Sequence, residues 1–206
     1  MSGAPMSNGS GDTAPAADYS VAELLACRLA HEFAEGERIS LGANVNFARA
    51  AVLLAHHLWA PSMKIMIGNS WTNFAGVRDI NLHADTSDFR DARWAESWLQ
   101  QSTAMIDYRF FSDAFVVGGM QIDAFGNTNL IGIGDDYHHL KVRGPGPIGT
   151  TSHTTYCDRY YIAVPQHTPQ AFVPRCDFIS AVGWGEGGAD GRSKLGLPGG
   201  GPRLCL

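Results

Sequence analysis

The sequence predicts an α/β domain in which an open, mostly parallel sheet carries helices on both faces. Two observations support this prediction. Amphipathic helical patterns alternate with short apolar runs in the first third of the chain, which is typical of parallel strands covered by helices. The 206 residues are 45% hydrophobic and include 24 glycines and 10 prolines, which indicates a sizeable core joined by many turns.

A helix is the first predicted element. It follows residues 1–18, a small, polar, Pro/Gly-rich leader that we expect to be disordered, and it opens a single domain over residues 19–206. Ser20 and Glu23 have the spacing of a capping box, and Gly36 is the expected stop. The apolar positions on one helical face are Val21, Leu24, Leu25, Ala26, Leu29 and Phe33.

A strand, a helix and a second strand are predicted next. Residues 38–42 have a strand pattern, residues 47–59 repeat apolar side chains at helical spacing after a possible cap at 44–46, and Met63–Ile67 is an apolar strand. This second strand leads directly into Gly68-Asn69-Ser70. Ligands bind beyond the carboxyl ends of strands in such sheets, so this tripeptide lies where a site is expected.

The most unusual stretch of the chain is Val116–Gly134. Apolar and polar residues alternate over 120–123, a turn is expected at 125–127, and the chain leaves along 130–133. The glycines at 118, 119 and 126 allow close backbone approach. Four polar side chains are too closely spaced for an ordinary core hairpin, which predicts a site loop built on a sheet: Gln121, Asp123, Asn127 and Asn129.

The remaining segments are less regular. We expect a short amphipathic helix near residues 89–99, no helix or strand interior over the Gly/Pro-rich residues 142–149, and two further strands at Arg159–Pro165 and Asp177–Gly183. Arg143 can contact an anionic ligand group or form a structural salt bridge, and Asp123 can bond its own turn or act as a base. The sequence leaves these alternatives open.

Charge and composition exclude several classes of protein. The formal net charge is −5 without a basic block, which argues against nucleic-acid binding. No run approaches the roughly 18 apolar residues of a membrane span, and the N-terminus lacks the layout of a secretory signal. Four scattered cysteines form no C-x-x-C pair, and the adjacent histidines at 56–57 and 138–139 point in different directions. We therefore expect a reduced, cytoplasmic protein without a metal site.

The order Gly-Gly-x-Gln-x-Asp-x-x-Gly-Asn-x-Asn over residues 118–129 resembles a family signature. It is similar to that of the β (or B) subunits of family I CoA-transferases of the glutaconate type and of their non-transferase relatives. Residues 142–149 resemble the second Gly-rich loop of that family, and 182–185 and 196–202 resemble its closing segment. A further strand follows that segment in the family; this chain stops at Leu206, so either the natural protein is short or that strand is missing.

The resemblance also implies a chemistry. A family I transferase uses a glutamate after the second early strand, whose carboxylate forms an anhydride and then a glutamyl-CoA thioester. Aligning residues 61–67 on the family pattern places Gly68 at that position. The steroid ring-cleaving CoA hydrolases also lack this glutamate, and their working carboxylate is expected from an α subunit. The resemblance therefore implies the β subunit of a heteromeric acyl-CoA hydrolase or lyase that opens a ring or cleaves a C–C bond.

The implied site has two parts. The catalytic part comprises Gly68, Asn69, Ser70, Gln121 and Asn129, where amide donors would stabilise an enolate or oxyanion. The part next to the acyl-CoA comprises Gly118, Gly119, Asp123, Asn127, Gly144 and Gly146. No tightly bound cofactor is expected, because coenzyme A belongs to the substrate. The alternatives are a CoA-transferase subunit, a subunit of a glutaconyl-CoA-type decarboxylase (which has cysteine in place of Gly68), and a non-catalytic scaffold.

Overall fold

A computed structural model describes residues 18–42, 45–67, 70–72, 95–98, 112–147, 149–164, 166–198 and 200–206. Its elements in chain order are α1 (Val21–Ala30), β1 (Arg38–Leu41), α2 (Asn46–Leu58), β2 (Lys64–Ile67), β3 (Ser70–Thr72), β4 (Ala95–Trp98), β5 (Ala114–Gly118), β6 (Gln121–Ile122), β7 (Thr128–Asn129), β8 (Gly132–Ile133), β9 (Val142–Arg143), α3 (Thr150–Tyr156), β10 (Arg159–Ala163), α4 (Gly191–Lys194) and β11 (Pro202–Cys205).

The main sheet has the strand order β11-β10-β5-β1-β2-β3-β4 within the described residues. The first five strands of this order run parallel to one another, and β3 and β4 extend the sheet antiparallel at one edge. Helices cover both faces, as described below. The open, mostly parallel α/β sheet predicted from the sequence is therefore confirmed.

The core has two halves because successive residues of a strand point to opposite faces. In β5, Ala114 and Val116 belong to one buried cluster, whereas Phe115 and Val117 belong to another. The first cluster lies against α1 and α2 and includes fully buried Leu29. The second lies under the short hairpin of β6 and β7 and under α3, and both halves exclude water from the sheet.

The capping box of α1 is confirmed. The Ser20 hydroxyl accepts a hydrogen bond from the Glu23 amide, and the Glu23 carboxylate accepts one from the Ser20 amide. The helix ends at Ala30, well before Gly36, and two residues predicted on its core face are exposed, Val21 (72%) and Leu24 (51%). Only the second half of α1 is buried against the core, so amphipathic spacing alone did not determine which apolar residues are covered.

The second predicted helix is confirmed, but it begins one residue earlier than predicted. It begins at Asn46, and its N-cap is Val45, which makes no side-chain capping bond. Residue 44, part of the predicted cap, lies outside the described residues. Packing therefore stabilises this helix in place of a cap: Ala48, Ala51 and Val52 are buried.

Three predictions for the less regular segments are wrong. Residues 95–98 form β4, a strand paired with β3, and the rest of the helix predicted over 89–99 lies outside the described residues. Val142–Arg143 is a strand paired with β8, because the Gly/Pro run begins only at residue 144. Asp177–Gly183 is not a strand and makes a single bridge, from Ala181 to Thr128. Tertiary pairing partners decided each of these segments.

The last Gly-Pro pair leads into an edge strand of the sheet. Pro202–Cys205 forms β11, which pairs in parallel with β10 at one edge of the sheet.

Charged pairs hold the amino edge of the sheet. The Arg159 guanidinium at the start of β10 donates to the Glu37 carboxylate (2.8 Å), and Arg38 at the start of β1 donates to Asp113 (2.9 Å). Burial raises the pKa of Asp113, but its hydrogen bonds from Arg38 outweigh this and leave the pKa below its usual value. At the opposite edge, where the parallel strands have their carboxyl ends, lie the glycine-rich segments. None of the helices in the described part of the chain is long and apolar enough to cross a membrane.

Candidate functional site

The candidate site is built on the carboxyl edge of the parallel sheet. Residues 118–134, here called the site loop, leave β5 at Gly118 and include β6, β7 and β8. Gln121 pairs with Asn129 and Ile122 pairs with Thr128, so the predicted hairpin is confirmed. Its turn uses Gly126 at φ +73°, a conformation that favours glycine.

The turn of the site loop is closed by Asp123. Its Oδ1 accepts hydrogen bonds from the amides of Phe125 and Asn127, both at 3.0 Å, and its Oδ2 accepts one from Asn127 Nδ2 at 2.8 Å. Asp123 and Asn127 are both buried. The carboxylate is thus an internal acceptor of its own turn, which is one of the two roles left open by the sequence.

Gln121 and Asn129 form a second buried polar pair. Gln121 Oε1 accepts from Asn129 Nδ2 (2.6 Å) and from the Asp177 backbone amide (3.0 Å). Because a backbone amide can only donate, the Gln121 atom that faces Asp177 is an oxygen. Asn129 is oriented in the same way, since its Oδ1 accepts from the Ile131 amide at 2.8 Å.

Most side-chain amide hydrogens of the site loop are used in hydrogen bonds within the protein, so fewer donors remain for a ligand than the sequence predicted. Asn127 Nδ2 donates to Asp123 and to the Gly185 carbonyl, and Asn129 Nδ2 donates to Gln121 and to the Gly132 carbonyl. Each side-chain amide has two hydrogens, so both are already used. Gln121 Nε2 makes no hydrogen bond to the rest of the described chain. It is the side-chain amide of the site loop with hydrogens left for a ligand.

The predicted glycines differ in their surroundings. A Cβ at Gly119 would lie 2.7 Å from the Thr128 methyl carbon, and one at Gly144 would overlap the Leu130 carbonyl oxygen. These two glycines let segments of the chain pack closely. A Cβ at Gly118 would meet only ordinary contacts at 3.7 and 3.8 Å, and Gly146, at φ +86°, faces open space. Gly118 can therefore accept a methyl group in ordinary contact, and of these four glycines Gly146 is the one that faces open space.

The remaining predicted residues follow β2. Gly68 and Asn69 lie outside the described residues, and Ser70 is the first residue of β3, paired with Ile67. Because β2 and β5 are parallel with β1 between them, Ile67 and Gly118 end their strands at the same edge of the sheet. The catalytic and binding roles assigned to these residues remain predictions.

The sequence analysis did not identify Arg192, a buried arginine that holds segments packed against the site loop. Arg192 donates to the carbonyls of Val182 (2.6 Å) and Thr154 (2.8 Å). The Gly183 amide in turn donates to Asn127 Oδ1 at 2.8 Å. A single arginine in a Gly-rich segment has no sequence signal for this position, because its partners are distant in the chain.

Cys176 lies against the site loop and is a protonated thiol. Its Sγ donates to the Asn127 carbonyl at 3.3 Å. Burial raises its pKa to about 12, and the nearby Asp123 acts in the same direction. A thiolate is the nucleophilic form of cysteine, so this residue is not activated for attack.

A cleft of about 410 Å³ opens beside the site loop. Its lining residues are Gly134, Asp135, Lys141, Arg175, Cys176 and Asp177. The Gly134 amide donates to Asp177 Oδ2 at 2.8 Å, which joins the end of the site loop to the opposite wall of the cleft. Within the described residues, no three histidine, cysteine or acidic side chains converge as metal ligands.

Comparisons with known proteins give relatives that are CoA-transferase subunits. The chain is 28% identical over 201 residues to the B subunit of glutaconate CoA-transferase from Acidaminococcus fermentans, covering 92% of this chain and 70% of that protein. It is 43% identical over 90 residues to the B subunit of 3-oxoadipate CoA-transferase from Pseudomonas knackmussii, covering 44% of this chain and about a third (34%) of that protein. No family model matches the chain.

Solved structures agree with the observed fold. The crystal structure of glutaconate CoA-transferase from Acidaminococcus fermentans superimposes with a TM-score of 0.78 at 26% identity, over 92% of this chain and 72% of that one. The decarboxylase AibA/AibB has a TM-score of 0.67 at 19% identity, over 80% of this chain and 67% of that one. IpdAB from Rhodococcus jostii has a TM-score of 0.68 at 21% identity, over 90% and 71%. The likeness to the last two shows the fold alone.

Proposed function

We propose that this chain is a β subunit of the family I CoA-transferase superfamily and acts with an α-type subunit in a heteromeric acyl-CoA-processing enzyme; its likeness to the B subunit of glutaconate CoA-transferase supports this proposal. The reaction we propose is a hydrolysis or lysis that opens a ring or cleaves a C–C bond of a CoA thioester, as in steroid-type catabolism. Coenzyme A is then part of the substrate, and no tightly bound cofactor is needed.

One observation carries the proposal: the site loop offers an amide donor and no free carboxylate. The carboxylate of Asp123 is occupied by three N–H donors of its own turn, whereas Gln121 Nε2 keeps its hydrogens. The sequence has glycine at position 68, where the family resemblance implies the nucleophilic glutamate of the transferases. A site of this kind stabilises developing negative charge on oxygen but forms no acyl anhydride from these residues.

Because the site loop offers a donor but no free carboxylate, we assign a different catalytic role to each subunit. Opening a cyclic 1,3-dicarbonyl compound requires a base that activates water and a donor that stabilises the enolate or oxyanion. We assign the donor to Gln121 Nε2 and its orientation to Asn129, which holds Gln121 Oε1 at 2.6 Å. The base is assigned to the α-type subunit. We place the acyl-CoA beside Gly146, which faces open space.

A CoA-transferase subunit is the second candidate. It is favoured by the names of the two sequence relatives, both of which are CoA-transferase B subunits. In that case the glutamate would have to come from another position or from the partner, because position 68 has no side chain.

An isotope experiment separates the two candidates. The chain, purified with an α-type subunit, is incubated in heavy-oxygen water with a CoA thioester that carries a cyclic 1,3-dicarbonyl group. We expect a ring-opened product that keeps its CoA and has gained one labelled water, detected by mass spectrometry. A parallel reaction with acetyl-CoA and a free carboxylic acid is expected to give no exchange; rapid exchange without ring opening would establish the transferase instead.

The role of Gln121 is tested by Gln121→Glu. This substitution keeps the oxygen that accepts from Asn129 and Asp177 but replaces the donating nitrogen. We expect turnover by the complex to fall about 100-fold, as for the loss of one oxyanion donor. Gln166→Glu makes the same change at an exposed position and is the matched control. Wild-type turnover in Gln121→Glu would show that Nε2 donates to nothing in the reaction.

A further inference from the structure

We propose that the cleft beside the site loop binds the phosphate groups at the nucleotide end of the acyl-CoA. This inference rests on the proposed function and adds a second contact region for the same substrate. Its walls come from the end of the site loop, from the residue before β9 and from residues 175–177. The argument depends on the charges at its mouth, on its size and on its hydrogen-bonded link to Gln121.

Two cationic side chains line the cleft. Lys141 and Arg175 are both exposed, and among the described residues neither forms a salt bridge with a carboxylate. Ammonium and guanidinium groups are the usual partners of phosphate, the first as a point charge and the second as a two-pronged donor. In a chain of net charge −5, two such unengaged cations on one cleft favour an anionic ligand.

The two acidic residues of the cleft do not cancel this preference. Asp177 Oδ2 accepts the Gly134 amide at 2.8 Å, so this carboxylate is used to join the two walls. Asp135 is exposed. Lys141 and Arg175 are therefore the side-chain donors of the lining that remain for an anionic ligand.

The size and the surroundings of the cleft fit a nucleotide better than a single carboxylate. Its volume is about 410 Å³, within the range of small-molecule sites, which is roughly 300–1,000 Å³. Tyr137, two residues after Asp135, is 51% exposed and has the Arg143 guanidinium 5.6 Å from its ring centre. An exposed aromatic ring with a cation beside it can stack a purine base while phosphates contact Lys141 and Arg175.

The cleft is connected to the proposed donor by direct hydrogen bonds. The Asp177 amide donates to Gln121 Oε1 at 3.0 Å, and Cys176, the preceding residue, donates to the Asn127 carbonyl at 3.3 Å. The wall of the cleft and the buried amide pair are thus adjacent parts of one packed unit. An extended ligand such as an acyl-CoA can place its phosphates in the cleft and its thioester arm toward Gln121.

Binding measurements on the full complex test this inference. Coenzyme A is titrated by calorimetry into the wild type, Lys141→Gln, Arg175→Gln and the double variant. Each single substitution removes one charged hydrogen-bonding group, and we expect about a tenfold weaker Kd for each and about a hundredfold for the double variant. Arg203→Gln, which removes an exposed arginine on β11, is the matched control and is expected to bind as the wild type does.

The possible outcomes separate this inference from the proposed function. If the wild type binds coenzyme A and the double variant binds it equally well with an unchanged melting temperature, the cleft is not the phosphate site, while the proposed function stands. If Arg203→Gln weakens binding as much as Lys141→Gln does, the effect is one of general charge and the inference fails. If the wild type binds no coenzyme A, both proposals fail together.

Discussion

Replacing Gly183 with alanine is expected to destabilise the domain by about 4 kcal/mol. The added Cβ would overlap the Phe125 carbonyl oxygen and lie 2.7 Å from the Asn127 amide nitrogen. Both atoms belong to the backbone of the turn that Asp123 closes, so the neighbours cannot move aside as a flexible side chain could. Relief requires separating Gly183 from Asn127 Oδ1, which breaks the 2.8 Å hydrogen bond between them.

Two glycine variants serve as controls in the same chemical denaturation experiment. Gly118→Ala meets only contacts of 3.7 Å and beyond, and we expect its free energy of unfolding to stay within about 1 kcal/mol of wild type. Gly146→Ala has open space but a φ of +86°, so it isolates the conformational cost, roughly 1 kcal/mol. A Gly183→Ala protein as stable as Gly118→Ala would mean that the turn and residue 183 are not tightly packed.

Protonation of His153 is expected to destabilise the protein by about 3 kcal/mol as the pH falls from about 6.5 to about 4. His153 is buried in α3, where its ring stacks on Phe115 at a centroid distance of 4.4 Å. Burial lowers its pKa to about 4, although its Nδ1–H donates to the Gly149 carbonyl, which opposes the shift. The folded state therefore holds this ring neutral.

The direction of the effect follows from proton linkage. In the unfolded chain the histidine pKa is near 6.5, so between about 4 and 6.5 the unfolded state binds more protons than the folded state. The stability from the neutral ring is complete above 6.5 and is lost as the pH falls through the folded pKa. Urea titrations over this range should show a steeper pH dependence for the wild type than for His153→Gln. His167→Gln, at an exposed histidine that forms no ion pair within the described residues, is the matched control; equal slopes in all three proteins would contradict the prediction.

The early elements could be predicted because their signals are local. A capping box needs only Ser20 and Glu23, and the helix and strands that follow show their periodicities within a dozen residues. Predictions failed where partners are remote. The apolar run 177–183 has a strand pattern, yet its Ser180 and Ala181 amides both donate to the Thr128 carbonyl of the site loop, at 2.8 and 3.1 Å.

In the candidate site, too, prediction failed where hydrogen-bond partners are remote in the sequence. The polar residues of the site loop were identified from their density in the sequence, but not which of their hydrogens are used. Asp177 bonds Gln121, and Gly183 bonds Asn127, each across 56 residues. No pattern within the loop reveals these partners, and they decide that Gln121 and not Asn129 has a donor to offer.

By itself the sequence determined that this is a glycine-rich α/β chain with a hairpin rich in polar side chains and with glycine, not glutamate, at position 68. Spacing of apolar residues and turn chemistry are sufficient for that, because both act between near neighbours. Only the tertiary structure decided which glycines pack against backbone, which amide hydrogens stay available, and that Lys141 and Arg175 meet at one cleft. These properties depend on contacts between segments that only folding brings together.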